Sequence, residues 1–301
     1  MGNMYFIEYK PRWEGSWIKR ALDRCFINIR AEKIDGNKSV IFINKKRINR
    51  LLFKRIDKIV FRNDSQHLKG NVLISKELAY KDCIIEQYIP KDKYVAKLIL
   101  PELLQKVEEK VNAKFELEDL YISINSEKSA DIIGYVAHLF RSVNIVTTKL
   151  KKIQSLEERF DTLNMNYVIS NNRKKFLKKA KILVNIDFSS EVLSGFNINR
   201  NCILINLNHD MCKLKSSFHG TVINSIAISY DNKYKNYINL QNYDGLTLYE
   251  SFVQNEKYSL ARGQLIDDSC RITELIGDKY VISQKELLNN YSKNRIKLDK
   301  L

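Results

Sequence analysis

The chain has 301 residues, of which 44% are hydrophobic, and this length and apolar content exclude a disordered chain and a single small module. Lys and Arg number 51 against 35 Asp and Glu, so the formal charge of +16 suggests nucleic acid, an anionic membrane or acidic metabolites as partners. Lys, Ile and Asn are abundant throughout, as in bacterial proteins from AT-rich genomes, and we favour this codon bias over a dedicated polyanion surface as the source of the charge.

Cysteine use and the lack of long apolar runs indicate a cytoplasmic protein. Five cysteines at irregular spacing, without a C-x-x-C pair, favour reduced thiols over a disulfide framework. No apolar run approaches the ~18 residues needed to span a bilayer, so we expect no membrane segment. One possible zinc site comprises Cys202, His209, Cys212 and His219. Because structural zinc sites usually have more closely spaced cysteine pairs, we predict no metal.

The first part of the chain, residues 1–114, mixes short strands with helices and is predicted to form an α/β domain. β-branched and aromatic residues predict its strands, and amphipathic spacing predicts its helices. The predicted strands are 26–30, 39–44, 58–61, 71–75 and 83–89, and the predicted helices are 45–56 and 98–111.

From residue 115 the pattern becomes regular, because strands that are apolar throughout alternate with helices. This alternation predicts a parallel sheet covered on both faces, that is, a doubly wound, Rossmann-like domain over 115–245. A helix over 246–253 then opens a segment, 246–301, that we expect to return to the first domain. The predicted strands are 120–125, 143–148, 166–170, 181–188, 201–207 and 220–230, and the helices between them are 130–140, 149–163 and 172–180.

The turn after the first strand of this second domain is where a dinucleotide-binding protein carries its glycines. Residues 125–130 are NSEKSA and contain no glycine. One hypothesis is that Asn125, Ser126 and Ser129 hold a phosphate-bearing ligand at the start of the following helix. The other is an ordinary N-cap on a structural turn, which we favour over tight dinucleotide binding because side chains fill the space that glycine leaves empty.

The end of the second strand bears on the choice of cofactor. Proteins that bind NAD usually place an acidic residue there, which bonds to the ribose hydroxyls. This chain has Thr147, Thr148 and Lys149, a combination that suits a 2′-phosphate better than a bare ribose. The cofactor, if any, is therefore expected to be NADP. The alternative, which we prefer, is that Thr148 simply caps the next helix.

Two basic segments raise the question of nucleic acid. Helix 45–56 would place four cations on one arc, and residues 173–179 contain a second basic run on a predicted helix. Such faces can contact phosphates. No common nucleic-acid-binding motif accompanies them, so we interpret both as solvated helix surfaces, and nucleic acid ranks below a small-molecule or nucleotide ligand.

Five short stretches, taken together, resemble one family. They are NVLISKE (71–77), residues 120–130, VTTK (146–149), VNID (184–187) and DGL (244–246). Their order is similar to that in shikimate dehydrogenase and its amino-acid-dehydrogenase-like relatives, which include glutamyl-tRNA reductase. The resemblance implies an N-terminal α/β substrate domain, then a Rossmann domain, then a helix that returns to the first domain.

The resemblance also implies roles for individual residues. Lys76 matches the catalytic Lys of the family's N-V-T-x-P-x-K-E stretch and is the candidate acid/base. Residues 146–149 are similar to the N-R-T segment after the second strand, with the Arg missing, and residues 184–187, with Asn185 and Asp187, resemble the N-A-T segment under the nicotinamide. Together with the residues of the turn and of the second strand end, the candidate cofactor site comprises Asn125, Ser126, Ser129, Thr147, Thr148, Lys149, Asn185 and Asp187.

The chain departs from the family at several functional positions. Leu73 replaces the Thr of the first stretch, which also lacks its Pro, and Asp187 replaces the Thr of N-A-T. Phe252 lies where the family has a Gln, and residues 90–115 offer no counterpart of the catalytic Asp. These losses argue against an intact shikimate dehydrogenase. We predict a divergent protein that is either an NADP-binding oxidoreductase or catalytically degenerate; the alternative is a non-enzymatic binding or regulatory protein with a basic surface for an anionic partner.

Overall fold

The structure is a computed structural model, and it describes residues 4–10, 29–35, 38–58, 72–80, 99–162, 165–208, 212, 214–229, 242–243, 245–248, 271–278 and 280–295. The chain divides into two compact units, residues 1–95 with 228–271 and residues 96–227 with 272–301. The predicted strand 83–89 and most of 58–61 lie outside the described residues. The boundaries predicted at 114/115 and 245/246 stay predictions.

The first unit contains a four-stranded mixed sheet in the order β2-β3-β1-β5. β1 is parallel to β3 and β5, whereas β2 is antiparallel to β3. A separate parallel pair joins β4 and β6. The ring of Tyr243 packs edge-on against Phe6 of β1 at 5.6 Å between ring centroids. The strands are β1 (Met4–Tyr9), β2 (Ile29–Asp35), β3 (Lys38–Ile43), β4 (Arg47–Ile48), β5 (Val72–Ile74) and β6 (Ala79–Tyr80).

The helix of this unit begins later than the predicted helix 45–56. That segment contains β4 and then the shorter helix α1 (Arg50–Ile56). The side-chain oxygen of Asn49 accepts a hydrogen bond from the N–H of Leu52 at 2.8 Å, which makes Asn49 the N-cap and sets the start of the helix. Leu52 and Ile56 then pack into the core of the unit.

The second unit contains a six-stranded sheet in the order β12-β11-β10-β7-β8-β9, and all five neighbouring pairs are parallel. If strands β7 to β12 are numbered 1 to 6 along the chain, their order in the sheet is 6-5-4-1-2-3. This is the strand order of the Rossmann fold, with the reversal between β7 and β10. The predicted doubly wound α/β sheet is therefore confirmed. The strands are β7 (Asp119–Ser123), β8 (Ser142–Val146), β9 (Tyr167–Ser170), β10 (Ile182–Asn185), β11 (Ile203–Asn206) and β12 (Thr221–Ile223).

The helices around this sheet are shorter than the predicted ones. Predicted helices 130–140 and 149–163 are each split, and most of 172–180 is turn followed by a 3₁₀ segment, Phe176–Lys179. There the side chain of Asn172 accepts from the N–H groups of Lys174 and Lys175, and such local bonds compete with a helix. None of the described helices is long and apolar enough to cross a membrane. The helices are α2 (Leu100–Val111), α3 (Glu127–Ala130), α4 (Ile132–Val136), α5 (Leu150–Gln154), α6 (Glu157–Asp161) and α7 (Ser190–Ser194).

The C-terminal part of the chain adds two strands and a helix. β13 (Ser225–Ser229) pairs with β14 (Arg271–Ile276), so the predicted strand 220–230 is divided between β12 and β13. Helix α8 (Gln284–Arg295) packs on α2, β11 and β12 of the second unit, where the amide of Asn290 donates to the hydroxyl of Thr221 at 2.8 Å. Helix α8 thus belongs to the second unit, whereas the described residues of 246–253 belong to the first unit, and the expected return of segment 246–301 to the first domain stays a prediction. Of predicted helix 246–253, the described residues are helical.

Candidate functional site

The candidate site lies at the carboxyl edge of the six-stranded sheet. Ligands of Rossmann sheets bind beyond the carboxyl ends of the strands, where the strand order reverses. In this sheet the reversal lies between β7 and β10, and β8 is the next strand outward. All eight residues predicted to hold a cofactor follow or end β7, β8 or β10, so the structure brings them to one edge.

The carboxylate of Asp187 occupies the backbone donors of the glycine-free turn. Its Oδ1 accepts a hydrogen bond from the N–H of Asn125 at 2.7 Å, and its Oδ2 accepts from the N–H of Ser126 at 2.8 Å. A dinucleotide would present its pyrophosphate to backbone N–H groups of this turn. Two of these donors are therefore satisfied by an anion that belongs to the chain itself.

The side chain of Asn125 joins the ends of β7 and β8. Its Oδ1 accepts from the Thr147 hydroxyl at 3.0 Å, and from the N–H and the hydroxyl of Thr148 at 2.9 and 3.0 Å. Thr147 is fully buried and also accepts from the N–H of Lys149 at 3.0 Å. The preferred interpretation that Thr148 caps the next helix is wrong, because α5 begins after Lys149 and has no side-chain cap.

The helix that follows the turn is too short to make a strong anion site. α3 has four residues, and the hydroxyl of Ser126, its N-cap residue, makes no cap hydrogen bond. Ser129 is buried, and its N–H donates to the Ser126 carbonyl at 3.1 Å. One turn aligns few peptide dipoles, so the field at its N-terminus is weak.

Asn185 has no hydrogen-bonding capacity left for a ligand. Its Oδ1 accepts from the Ser123 hydroxyl at 2.8 Å and the Phe188 N–H at 3.1 Å. Its Nδ2 donates to the Phe188 carbonyl at 3.0 Å and to Oδ1 of Asn206 at 2.9 Å. These four bonds are all that a side-chain amide ordinarily makes. The cofactor role predicted for Asn185 would require one of them to break.

This set of bonds extends across four strands of the sheet. Asn185 lies opposite Ser123 on one side and Asn206 on the other, and the Asn206 amide donates to Asn224, just beyond β12, at 3.0 Å. Ser123, Asn206 and Asn224 are not among the residues predicted from the sequence. One signal could have found Asn206, because β10 and β11 have the similar sequences ILVN and ILIN, and parallel strands with equal ends place those asparagines side by side.

Lys76, predicted to be the acid/base, and Lys149, predicted to bind the cofactor, lie in different units. Lys149 is exposed at the end of β8 in the second unit. Lys76 is exposed in the turn after β5 in the first unit, and its backbone N–H donates to the Asn242 carbonyl at 2.7 Å. The catalytic role of Lys76 stays a prediction.

Of the described cysteines, Cys202 is buried and Cys212 is partly buried, and neither has the properties of a reactive thiol. Burial raises the pKa of Cys202 strongly and raises the pKa of Cys212 to about 11. Both thiols therefore stay protonated at neutral pH, whereas metal binding requires the thiolate. Among the described residues no three His, Cys, Asp or Glu side chains are grouped to hold a metal ion, and His209 lies outside them.

Comparison with known proteins identifies solved structures of low similarity. No family model matches the sequence, and no curated protein matches it. L-tryptophan dehydrogenase from Nostoc punctiforme is 9% identical with a TM-score of 0.37, over 99% of this chain and 84% of that one. A chorismate mutase/shikimate 5-dehydrogenase fusion protein from Clostridium acetobutylicum is 9% identical with a TM-score of 0.30, over 89% and 94%.

Quinate dehydrogenase from Corynebacterium glutamicum, solved in complex with NAD, is 10% identical with a TM-score of 0.27, over 68% of this chain and 79% of that one. These likenesses assign no activity. The membership of the second unit among Rossmann folds rests on its own strand order and on the parallel pairing of all six strands, and it is a divergent member.

Proposed function

We propose that this chain is a catalytically degenerate Rossmann-type protein that does not hold a dinucleotide at its glycine-free turn and serves as a binding or regulatory protein. The observation that carries the proposal is the pair of hydrogen bonds from the backbone of Asn125 and Ser126 to the carboxylate of Asp187. A pyrophosphate would compete with this carboxylate for the same donors.

Electrostatics adds to that competition. A phosphate at the turn would lie close to the Asp187 carboxylate, and two like charges ~4 Å apart repel by roughly 4 kcal/mol at an effective dielectric constant of 20. Displacing the carboxylate instead would give up two charge-assisted hydrogen bonds, each contributing about 1.5–3 kcal/mol. Either route removes much of the affinity that a glycine-rich turn provides.

The test is thermal unfolding of the full chain with NADP, NAD, ATP, S-adenosylmethionine and no ligand. A ligand at 100 times its Kd stabilises the folded state by about 2.7 kcal/mol, a shift of several degrees for a chain of this size. The scan is repeated in the double variant Lys178→Gln with Arg200→Gln, which removes two exposed cations at the opposite edge of the sheet. In that variant we expect no shift with NADP or NAD at millimolar concentration, and a shift with either dinucleotide there would overturn the proposal.

A second candidate function is an NADP-binding oxidoreductase, and the exposed Lys149 at the end of β8 is the observation that favours it. Lys149 would bind the 2′-phosphate, and Lys76 would be the acid/base. This candidate requires a thermal shift with NADP that NAD does not give and that Lys149→Gln abolishes. Lys151→Gln is the matched control, because Lys151 is also exposed and lies two residues away. Turnover, once found, should be lost in Lys76→Ala.

A further inference from the structure

A cleft of about 820 Å³ opens at the amino edge of the six-stranded sheet, opposite the edge that holds Asp187. Its walls come from residues that precede strands: Glu118 before β7, Arg141 before β8, Lys181 before β10 and Arg200 before β11. In a parallel sheet all amino ends meet at one edge, so these residues converge although they are far apart in the chain. The volume falls within the range of about 300–1,000 Å³ of small-molecule sites.

The cleft is more basic than the chain as a whole. Six of its seventeen lining residues are Lys or Arg and two are acidic, whereas Lys and Arg make up 51 of the 301 residues of the chain. The basic share is therefore about twice the average, and a lysine-rich composition alone does not account for it.

The two acids are already paired with two of the six cations. The Lys181 ammonium donates to the Glu118 carboxylate at 2.8 and 3.0 Å, and both side chains are largely buried. The hydroxyl of Tyr291, on α8, also donates to Glu118 at 2.7 Å. Arg141 pairs with Asp119 at 2.8 Å. These acids therefore leave the other four cations of the cleft uncompensated.

Those four cations are Lys178, Lys179, Arg200 and Lys215, and all are exposed. Within the described part of the chain, none of them has a carboxylate at salt-bridge distance. They come from three separate segments: the 3₁₀ segment before β10, the residues before β11 and the loop before β12. Cations that converge on a concave site produce a positive potential that concentrates anions there.

Apolar side chains form the rest of the wall. Phe196 is almost fully buried and packs against Phe188 at 5.7 Å between ring centroids, so this part of the wall is firmly held. Phe218 is half-buried beside it in the lining, together with Ile198 and Leu214. A ligand in this cleft would thus meet charge and apolar surface together.

We propose that the amino-edge cleft binds a small phosphorylated ligand that also has an apolar or ring-shaped part. Lys and Arg are the usual donors to phosphate oxygens, and the aromatic wall suits the remainder of such a molecule. A cleft of this volume fits a small molecule better than a nucleic-acid strand, which would follow an extended basic groove. The inference holds whether or not the carboxyl edge binds a dinucleotide, because the two sites lie at opposite edges of the sheet.

The test is isothermal titration of the full chain with ATP and with inorganic tripolyphosphate. We expect both to bind, ATP more tightly, and affinity to fall as salt rises from about 50 to 200 mM. The double variant Lys178→Gln with Arg200→Gln should weaken binding about tenfold or more, since each removes a charged donor. Lys174→Gln with Lys175→Gln is the matched control, because both lysines are exposed in the same basic run but do not line the cleft.

Three results would overturn the inference. The first is that neither probe binds with a Kd below about 1 mM. The second is that the two double variants lose affinity equally, which would indicate a diffuse lysine surface. The third is that a single-stranded RNA 12-mer binds more tightly than ATP and loses its binding in the cleft variant. Both double variants should unfold at the wild-type temperature or above, because removing repelling surface charges leaves the core intact. A further variant, Asp187→Asn, separates this site from the carboxyl edge. ATP should still bind to Asp187→Asn but not to the cleft variant.

Discussion

The backbone N–H of Asn125 donates to the carboxylate of Asp187 across 2.7 Å, and this bond joins the loops that follow β7 and β10. These are the strands between which the sheet order reverses. In a dinucleotide-binding sheet the two loops are held apart and the ligand lies between them. Here the chain itself supplies the anion that bridges them, so the same contact both stabilises the fold and opposes a phosphate ligand.

Replacing Asp187 with Asn should lower the free energy of unfolding by about 1–3 kcal/mol, because two N–H donors lose a charged acceptor. It should also allow NADP to stabilise the variant, since the repelling charge is gone. Urea unfolding with and without NADP measures both effects. Glu191→Gln, an equal charge change at an exposed position of α7, is the control. A variant as stable as this control would show that the bridging bonds contribute little.

Much of the second unit could be predicted because its strands are apolar on both faces. Segments such as ILVN of β10 and ILIN of β11 can only be buried from both sides, and that requires a parallel sheet with covering helices. Helix limits were harder to predict. They depend on single side chains, such as Asn49 at α1 or Asn172 before the 3₁₀ segment, which bond locally to the backbone.

The candidate site was only partly predictable. The positions of Asn125, Thr148 and Asp187 at one edge follow from the parallel sheet. The hydrogen bonds between these residues could not be predicted, because Asn125 and Asp187 are 62 residues apart in the chain. The periodicity of the sequence does not indicate the direction of an individual side chain. The amino-edge cleft was missed for a similar reason. Its cations are scattered along the chain, and Lys178 and Lys179 belong to a run that was interpreted as solvated helix surface.

Asn185→Ala should destabilise the protein by about 3 kcal/mol, because it removes the acceptor of the Ser123 hydroxyl and of the Phe188 N–H, and one donor to the Asn206 side-chain oxygen, in a buried layer. Chemical denaturation measures the loss. Asn144→Ala, at a half-buried asparagine of β8, is the control and should cost less. Equal losses would mean that the Asn185 hydrogen bonds contribute no more to the free energy of unfolding than those of a half-buried asparagine.

Glu118→Gln should cost up to about 3 kcal/mol, because it leaves the Lys181 ammonium largely buried without its carboxylate. The comparison is Asp119→Asn, whose partner Arg141 is well exposed, and such surface pairs contribute less than about 1 kcal/mol. Unfolding by urea in low and high salt separates the two, since only the exposed pair is screened. A larger loss in Asp119→Asn would contradict this ranking.

Gly220→Ala should disturb the start of β12. A Cβ at this position would overlap the Cys202 carbonyl oxygen and the Phe218 ring, so the strand or its neighbour must move. The expected cost is about 1–3 kcal/mol, as for other overpacked sites. Gly195→Ala is the control, because its Cβ would meet nothing nearer than the Val192 carbonyl at 3.2 Å, and we expect a change below about 1 kcal/mol. Thermal unfolding of the two variants measures both costs, and an equal loss of stability in the two would contradict the prediction.

Tyr121 should make stability fall at alkaline pH. Burial, with a smaller contribution from Asp119, raises the pKa of its hydroxyl from 10.0 to about 12 in the folded chain. Between these values the unfolded chain releases the proton while the folded chain keeps it. The stability that this pKa difference adds to the folded chain is therefore complete below pH 10 and is lost as pH rises toward 12.

Tyr121→Phe removes the titrating group, so its free energy of unfolding should fall less steeply than that of the wild type over this range. Urea unfolding at pH 8 and at successive alkaline values measures the difference. A difference between the two proteins that stays constant with pH would exclude the proton linkage and leave Tyr121 with a packing role alone.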